Sequence, residues 1–318
     1  MKTSRKLLAA GTLMVLAACT QEVIAPPAPT PPVARPSVEV PGVPEVAEPS
    51  EASKALAVHY RDLQRKLLIQ GLLRGDGGGP DTPFTDTDLA RNFVRIALFN
   101  EYVAEGDELR AQANVANLRR FDQPVRIGLE FGGTTPPDRR ARDESSVAAY
   151  AARLSRITGH PITLAEDNPN FHVFIVNEDE RRALGARLEE LVPGMLPSSR
   201  NALINLPKDQ LCIVIAFAEG ESASYSKAIS IIRAEHPDLL RTTCIHEELA
   251  QGLGLANDSP RARPSIFNDD EEFGLLTTHD EWLLKMLYDP RLQTGMKPAE
   301  AAPIARIIAR EYLDPGAG

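Results

Sequence analysis

Apolar residues recur every three or four positions in several segments beyond residue 50, a spacing that predicts helices with one buried face. The predicted helices cover Ser50 or Ser53 to about Leu73, Thr85 to Asn100, 107–119, 143–157, 179–191 and Pro237 to about Leu253. The first of them ends in the glycine-rich stretch 75–80. This stretch indicates a hinge, because no strand precedes it and no phosphate-loop lysine follows it.

Other segments show strand patterns. Residues 124–131 alternate between apolar and polar side chains, which is typical of a strand with one buried face. The segments 171–176 and 211–217 are almost wholly apolar, and 226–233 is expected to add a further strand. Because helices and strands alternate along the chain, we expect a mixed α and β body built around one sheet.

Composition narrows the possible classes of function. The chain has 318 residues, enough for one large or two modest domains, and 43% of them are hydrophobic. Its net charge of −9 argues against nucleic-acid binding, because contacts to phosphate need a basic face. Three cysteines are too few for a disulfide scaffold or a four-thiolate zinc site.

The amino terminus has the features of a secretion signal. Three positive charges within residues 2–6 precede an apolar stretch, 7–16, that is too short to span a bilayer. The small residues before Cys19 resemble a bacterial lipobox, which implies a signal peptide at 1–18 and a lipid on the Cys19 sulfur. Thr20 does not resemble the Asp of an inner-membrane retention signal, so we expect a lipoprotein of the outer membrane that faces the periplasm. An ordinary signal peptide followed by an incidental cysteine is the alternative.

Residues 19–50 contain the lipidated cysteine and a tether. Nine of the 26 prolines lie in this segment, which favours an extended spacer over a packed core. The remaining chain divides into an N-terminal helical region, 51–120, and a main domain, 121–318.

One short segment carries most of the functional information. His246 and Glu247 begin like the zinc motif His-Glu-x-x-His, but Ala250 stands where the second histidine is needed. Shifted by one residue, 247–258 matches the spacing of the metzincin motif, His-Glu-x-x-His-x-x-Gly-x-x-His-Asp. Gly254 then stands at the turn glycine and Glu248 at the general base. The three histidine positions are occupied by Glu247, Gln251 and Asn257.

The resemblance to metzincin-type zinc peptidases continues downstream. Residues 264–268 resemble the Met-turn, with Phe267 in the methionine position, and 276–280 resemble the start of the closing helix. Together with the lipobox and the tether, the chain resembles a bacterial lipoprotein family classed as a domain of unknown function. The resemblance implies an α+β, zincin-like domain with a mixed sheet, an active-site-type helix and a small C-terminal subdomain, preceded by N-terminal helices.

The replaced ligands change the expected chemistry. Glu247 and Gln251 share one face of a helix, and a turn at Gly254 could bring Asn257 toward them. One carboxylate and two amides disfavour zinc, so we assign no cofactor; calcium or another hard cation, helped by Asp258, is the alternative. A hydrogen-bonded polar cluster of the three side chains is the favoured interpretation.

Two histidines and two cysteines complete the candidates. His246 is expected on another side of the helix, and His279 in a capping or surface role. Cys212 and Cys244 either form a disulfide or remain buried thiols, because their separation in space cannot be read from the sequence.

Three functions follow from these features. The leading hypothesis is a non-catalytic cleft that binds an envelope protein or peptide, on a chain anchored to the membrane by its lipid. The alternative is a hydrolase or peptidase with an unusual metal site or with Glu248 as its general base. A structural envelope factor is the third possibility, because resemblance in fold does not establish an activity.

Overall fold

A computed structural model describes residues 48–314. The predicted signal peptide 1–18, the predicted lipidation site Cys19 and the predicted tether up to residue 47 lie outside the described residues. Within 48–314, no helix combines the length and the apolar character needed to cross a membrane.

Helices and strands alternate through the described range, as the sequence predicts for the main domain. The helices are α1 (Glu51–Ile69), α2 (Asp86–Ala97), α3 (Pro137–Thr158), α4 (Glu178–Arg182), α5 (Gly185–Leu191), α6 (Pro197–Ile204), α7 (Asp238–Gly252), α8 (Thr278–Leu287) and α9 (Pro298–Leu313). The strands are β1 (Phe99–Glu105), β2 (Glu108–Val115), β3 (Val125–Phe131), β4 (Ile162–Leu164), β5 (Phe171–Val176), β6 (Cys212–Ala218) and β7 (Tyr225–Arg233).

The strands form one mixed sheet and one separate hairpin. The sheet has the order β4-β3-β5-β7-β6, with parallel pairing everywhere except between β7 and β6. The antiparallel strand β6 therefore forms an edge, while β1 and β2 pair with each other as a hairpin. This arrangement confirms the α+β class and the mixed sheet.

Alternating side chains of the central strands divide the core between the two faces of the sheet. Phe171, Val173 and Ile175 of β5 pack with α7, α8 and α9 in the larger core. Phe174 and Val176 point the other way and pack with α5 and α6. The apolar runs in β5 and β7 thus reflect burial on both faces, as is usual for the inner strands of such a sheet.

The hairpin corrects two predictions for the N-terminal region. Residues 107–119 were predicted to be helical, but they contain strand β2, and α2 ends at Ala97 rather than at Asn100. The turn between β1 and β2 is made by Gly106 with φ +61°, which reverses the chain before a helix can form. The region 51–120 is consequently a mixture of two helices and a hairpin.

Two further predictions need correction. The segment 179–191 is broken into α4 and α5, because Gly185 is a weak helix former at the start of the second piece. The glycine-rich stretch 75–80 was predicted to be a hinge, but backbone contacts hold it against the segment 273–278. Arg74 bridges to Phe273, and the Gly77 carbonyl accepts a hydrogen bond from the Thr278 amide at 2.9 Å.

Candidate functional site

Helix α7 carries the motif residues and is held closely against the sheet. Pro237 precedes it as an extended N-cap, and Asp238 lies in its first turn. At its other end a Cβ atom on Gly252 would lie 2.4 Å from the Phe171 ring, so only glycine permits this close packing.

The turn after α7 depends on Gly254. Its φ of +132° is a conformation that side chains with a Cβ rarely adopt, and a Cβ there would lie 2.3 Å from the Arg119 carbonyl oxygen. The chain therefore reverses at this residue and brings Asp258 back toward α7.

His246 faces away from the motif side of α7, as the sequence predicts. Its ring stacks on Tyr150 with centroids 4.0 Å apart, and its Nδ1 accepts a hydrogen bond from the Leu276 amide at 3.1 Å. Burial, with a smaller contribution from the Arg153 charge, lowers the pKa of His246 to about 3. This imidazole is neutral and structural.

The motif side of α7 forms one wall of a cavity of about 650 Å³. Strand β6, the hairpin and the loop after Gly254 form the other walls. Seven carboxylate side chains line the cavity: Glu101, Asp209, Glu247, Glu248, Asp258, Asp269 and Glu271. Among the described residues, no lysine, arginine or histidine lines it, so the carboxylates face one another without a cationic partner in the wall.

The structure brings most of the predicted site residues together, with one exception. Glu247, Glu248, Gln251 and Asp258 all line the cavity. Asn257 does not: its amide donates to the carbonyl oxygens of Arg95 at 2.9 Å and of Asp258 at 2.8 Å. The predicted cluster of Glu247, Gln251 and Asn257 is therefore not formed in the described structure, because the turn directs Asn257 toward α2.

Burial and mutual repulsion raise the pKa values of the cavity acids. For Glu247, Glu248 and Asp258, burial is the largest cause and the neighbouring carboxylates add to it, so each pKa lies well above its ordinary value. Burial raises the pKa of Glu101 to about 7, opposed by a hydrogen bond with Tyr102 and assisted by the charge of Asp269. A positive charge that enters the cavity would therefore stabilise the ionised form of these carboxylates.

The cavity wall has few hydrogen-bond donors for its many carboxylate oxygens. Gln251 Nε2 donates to Asp258 Oδ1 at 3.4 Å, and Gln210 Nε2 donates to the Tyr102 hydroxyl at 3.0 Å. Glu248 is only 3% exposed, and its Oε2 has no hydrogen-bond partner within the described structure. A buried carboxylate oxygen without a donor is costly, which marks this wall as a place for a ligand.

Only a few of the potential metal ligands in the described part of the cavity lie close together. Within the described residues, Cys212, Glu247 and Glu248 form the one group of three whose ligand atoms all lie within 4.8 Å of one another. Cys212 is joined to Cys244 in a disulfide, with Cα atoms 5.9 Å apart, so its sulfur is not a thiolate. The wall offers no imidazole for zinc, and binding of a hard cation stays a prediction.

The segment 264–268, predicted to form a Met-turn, packs into the hydrophobic core. Phe267 is fully buried, and the Asp280 carboxylate accepts hydrogen bonds from the Ser265 hydroxyl, the Ile266 amide and the Thr277 amide. Asp280 therefore ties this turn to the start of α8.

The predicted capping or surface role of His279 is wrong. Its side chain is fully buried and its Nε2 accepts from Asn92 Nδ2 at 3.1 Å, while Thr277 is the residue that caps α8. The ring also packs edge-on against Phe84, with centroids 5.0 Å apart, and His279 is not among the residues that line the cavity.

Sequence reasoning missed four of the seven cavity carboxylates and the tyrosine beside them: Glu101, Tyr102, Asp209, Asp269 and Glu271. The first two lie on the hairpin, where the Glu-Gly-Asp-Glu sequence at 105–108 was an available signal for a two-residue turn between strands. The last two belong to the acidic run 269–272, which reads as a solvated loop unless its approach to α7 is known.

Fold and site together define an α+β domain with an acid-lined cavity beside the edge strand of its sheet. The chain matches the DUF2927 family, described as a protein of unknown function, over residues 86–307. It belongs to this family. No curated protein and no solved structure matches the chain.

Proposed function

We propose that this protein is a non-catalytic binding protein of the cell envelope. In this proposal, a lipid on Cys19 anchors it to the outer membrane, and its cavity takes a positively charged segment of an envelope protein or peptide. The observation that carries the proposal is the wall of seven carboxylates with no basic side chain among them. Such a wall selects cations and excludes acidic ligands.

The dimensions of the cavity favour a side chain over a bare metal ion. A volume of about 650 Å³ is far larger than one ion requires. The seven acids come from β1, the loop before β6, α7 and the loop after it, and among them only Glu247 and Glu248 belong to a close group of potential ligand atoms in the described structure. Ammonium or guanidinium groups of a peptide can reach several separated carboxylates and form charge-assisted hydrogen bonds with them.

The edge strand supplies a second kind of contact. In the described part of the chain, β6 pairs with β7 alone, so its other side makes no strand pairing. Ile213 and Val214 line the acidic cavity, while Val214 to Ala216 line an adjoining cavity of about 460 Å³. An extended peptide added to this edge would pair through its backbone and place alternate side chains in the acidic wall.

The metzincin resemblance fits a cleft that has lost its metal chemistry. Glu247 and Gln251 keep the spacing of two zinc histidines on α7 but offer oxygen in place of imidazole nitrogen. Asn257, at the third position, turns toward α2. We infer that the domain has a zincin-like ancestry in which the cleft was kept for binding.

The test is a binding titration with two peptides. A short fluorescent peptide that alternates lysine and valine is compared with one that alternates glutamate and valine, by fluorescence anisotropy at low and high salt. We expect the purified protein to bind the lysine peptide, to release it as salt screens the charges, and to ignore the glutamate peptide.

A pair of double variants locates the binding. Glu101→Gln with Asp269→Asn removes two charges from the cavity and is expected to weaken binding by roughly tenfold or more. Glu166→Gln with Asp167→Asn makes the same charge change on the exposed loop between β4 and β5 and is expected to leave binding unchanged. Equal loss in both variants, or equal binding of both peptides, would overturn the proposal.

A hydrolase remains the second candidate, because one observation favours it. Glu248 has a raised pKa and an oxygen without a hydrogen-bond partner in the described structure, which are properties of a carboxyl group that can transfer protons in catalysis. In this case Glu248 would act as the general base toward a water molecule in the cavity.

Replacement of Glu248 separates the two functions. If the protein hydrolyses a labelled peptide pool, Glu248→Gln should lower the rate by roughly 10²–10⁴-fold. Glu271→Gln, which makes the same charge change in the same cavity, should lower it much less. Hydrolysis that survives Glu248→Gln would exclude this role, whereas binding of the lysine peptide should survive that variant in a weakened form.

A further inference from the structure

The one close group of metal-ligand atoms in the described structure includes a sulfur that is blocked by a disulfide. Cys212 at the start of β6 and the adjacent Glu247 and Glu248 on α7 all line the cavity. Their ligand atoms lie within 4.8 Å of one another. The same sulfur forms the bond to Cys244.

We propose that reduction of the Cys212–Cys244 disulfide opens a zinc-class metal site formed by Cys212, Glu247 and Glu248. The reductant is a dithiol: two electrons pass to the disulfide, the two cysteine sulfurs each take a proton, and the dithiol becomes a disulfide. On metal binding, the Cys212 thiol loses its proton to solvent and the sulfur coordinates as a thiolate.

The donor set suits zinc better than the residues at the three motif positions do. A thiolate with two carboxylates offers one soft ligand and a net negative charge, and it leaves a fourth position open. Bonds of about 2.0–2.3 Å in a tetrahedral site place ligand atoms roughly 3.5 Å apart, so the three side chains need to close by at most about 1.3 Å.

The state of Glu248 points independently to a ligand at this place. The side chain is 3% exposed, and its Oε2 has no hydrogen-bond partner. Glu101 and Asp258, which line the same cavity, are also acidic. A divalent cation would satisfy the oxygen and remove the repulsion together.

The structure can hold both cysteines in place after the bond is broken. Cys244 is fully buried, and its sulfur lies 3.7 Å from Nδ1 of His236. Burial and the charges of Arg233 and Arg241 keep the pKa of His236 well below its ordinary value, so its neutral ring can accept a hydrogen bond from the reduced Cys244 thiol. Cys212 remains paired to Ile232 through the β6–β7 ladder.

This inference rests on the three side chains and not on the peptide proposed above. The oxidised protein would bind the peptide without metal, and the reduced protein would bind metal whether or not the peptide binds. Failure of one experiment therefore leaves the other interpretable.

Two single variants provide the test. Cys244→Ser frees the Cys212 thiol, and Cys212→Ser breaks the same disulfide but removes the ligand; Cys19 is present in both. Each is titrated with Cd²⁺ and monitored by the ultraviolet sulfur-to-cadmium absorption band, with Zn²⁺ binding measured by calorimetry. We expect the Cys244→Ser variant to bind one Cd²⁺ with the band, and the Cys212→Ser variant and the oxidised wild type to lack it.

Further arms make the result decisive. Adding Glu247→Gln or Glu248→Gln to Cys244→Ser should weaken binding by roughly tenfold or more. Wild-type protein reduced by a phosphine, which is itself converted to the phosphine oxide, should show the same absorption band. This measurement replaces the Cys244→Ser titration if that variant does not fold. An equal band in the Cys212→Ser variant, or no band in folded protein with a free Cys212, would overturn the proposal.

Discussion

Individual residues at the end of α7 determine the shape of the cavity wall. Gly252 lets the helix approach Phe171, and Gly254 turns the chain in a conformation available almost only to glycine. The turn then sets where the next side chains point, so that Asp258 reaches the cavity and Asn257 does not. Sequence spacing predicted the shared face of Glu247 and Gln251, which depends only on helical geometry. It could not predict the direction of Asn257, which depends on the contact with α2.

Gly254→Ala should destabilise the protein by about 2–4 kcal/mol, because the new Cβ meets the Arg119 carbonyl oxygen and the positive φ is strained. The measurement is the free energy of unfolding from urea denaturation. Gly159→Ala is the matched control: its φ is +69° but a Cβ there has no neighbour within 4 Å, so the expected loss is about 1 kcal/mol. Similar losses at both positions would show that the contact with Arg119 is unimportant.

At the scale of secondary-structure elements, the cavity depends on how β6, α7 and the β1–β2 hairpin are joined. The disulfide links β6 to α7 across 32 positions of the chain, and the hairpin supplies Glu101 from the opposite side. The sequence predicted β5 and β6 well, because continuous apolar runs reflect burial whatever the neighbours are. It failed for the hairpin, because β2 is half exposed and its few apolar residues fit helical spacing as well as strand spacing.

Removing the disulfide by Cys212→Ala with Cys244→Ala should lower the free energy of unfolding by roughly 3–4 kcal/mol, since a loop of this length gains entropy in the unfolded chain. Urea denaturation of the oxidised wild type and the double variant measures the difference. In a reducing buffer the two proteins should become nearly equal in stability. A difference that persists there would show that packing of the sulfurs, and not the crosslink, is responsible.

For the whole molecule, acids of two kinds set the dependence of stability on pH. Burial opposes ionisation of Glu178 and Glu130, but hydrogen bonds with Arg181 and Arg182, and with His172 and Arg187, lower both pKa values to about 2. In the cavity, burial raises the pKa of Glu101 to about 7 and those of Glu247, Glu248 and Asp258 as well. The paired acids therefore stabilise the folded protein while they are ionised, whereas the cavity acids stabilise it while they are protonated.

We expect stability to be greatest at about pH 5. The ordinary pKa of a glutamate is 4.5. Above this pH the cavity acids of the folded protein still hold protons that the unfolded chain has lost, so stability falls as the pH rises from 4.5 to about 7. Below pH 4.5, glutamates of the unfolded chain become protonated, whereas Glu130 and Glu178 of the folded protein stay ionised until about pH 2. Stability therefore falls again as the pH is lowered. Urea denaturation across this range tests both limbs. Glu101→Gln should flatten the alkaline limb, and an unchanged limb would contradict the assignment to the cavity.

The unpaired side of β6 also bears on self-association. The strand is seven apolar residues long, Cys212–Ala218, and an edge strand of this kind is a template on which a second copy can add its own edge. The carboxylates beside it make such an approach unfavourable while they are ionised, because two copies would bring two acidic walls together. Because these acids hold their protons to higher pH than ordinary carboxyl groups, the wall should oppose self-association most strongly above about pH 7, and light scattering should show more aggregation as the pH is lowered through that value.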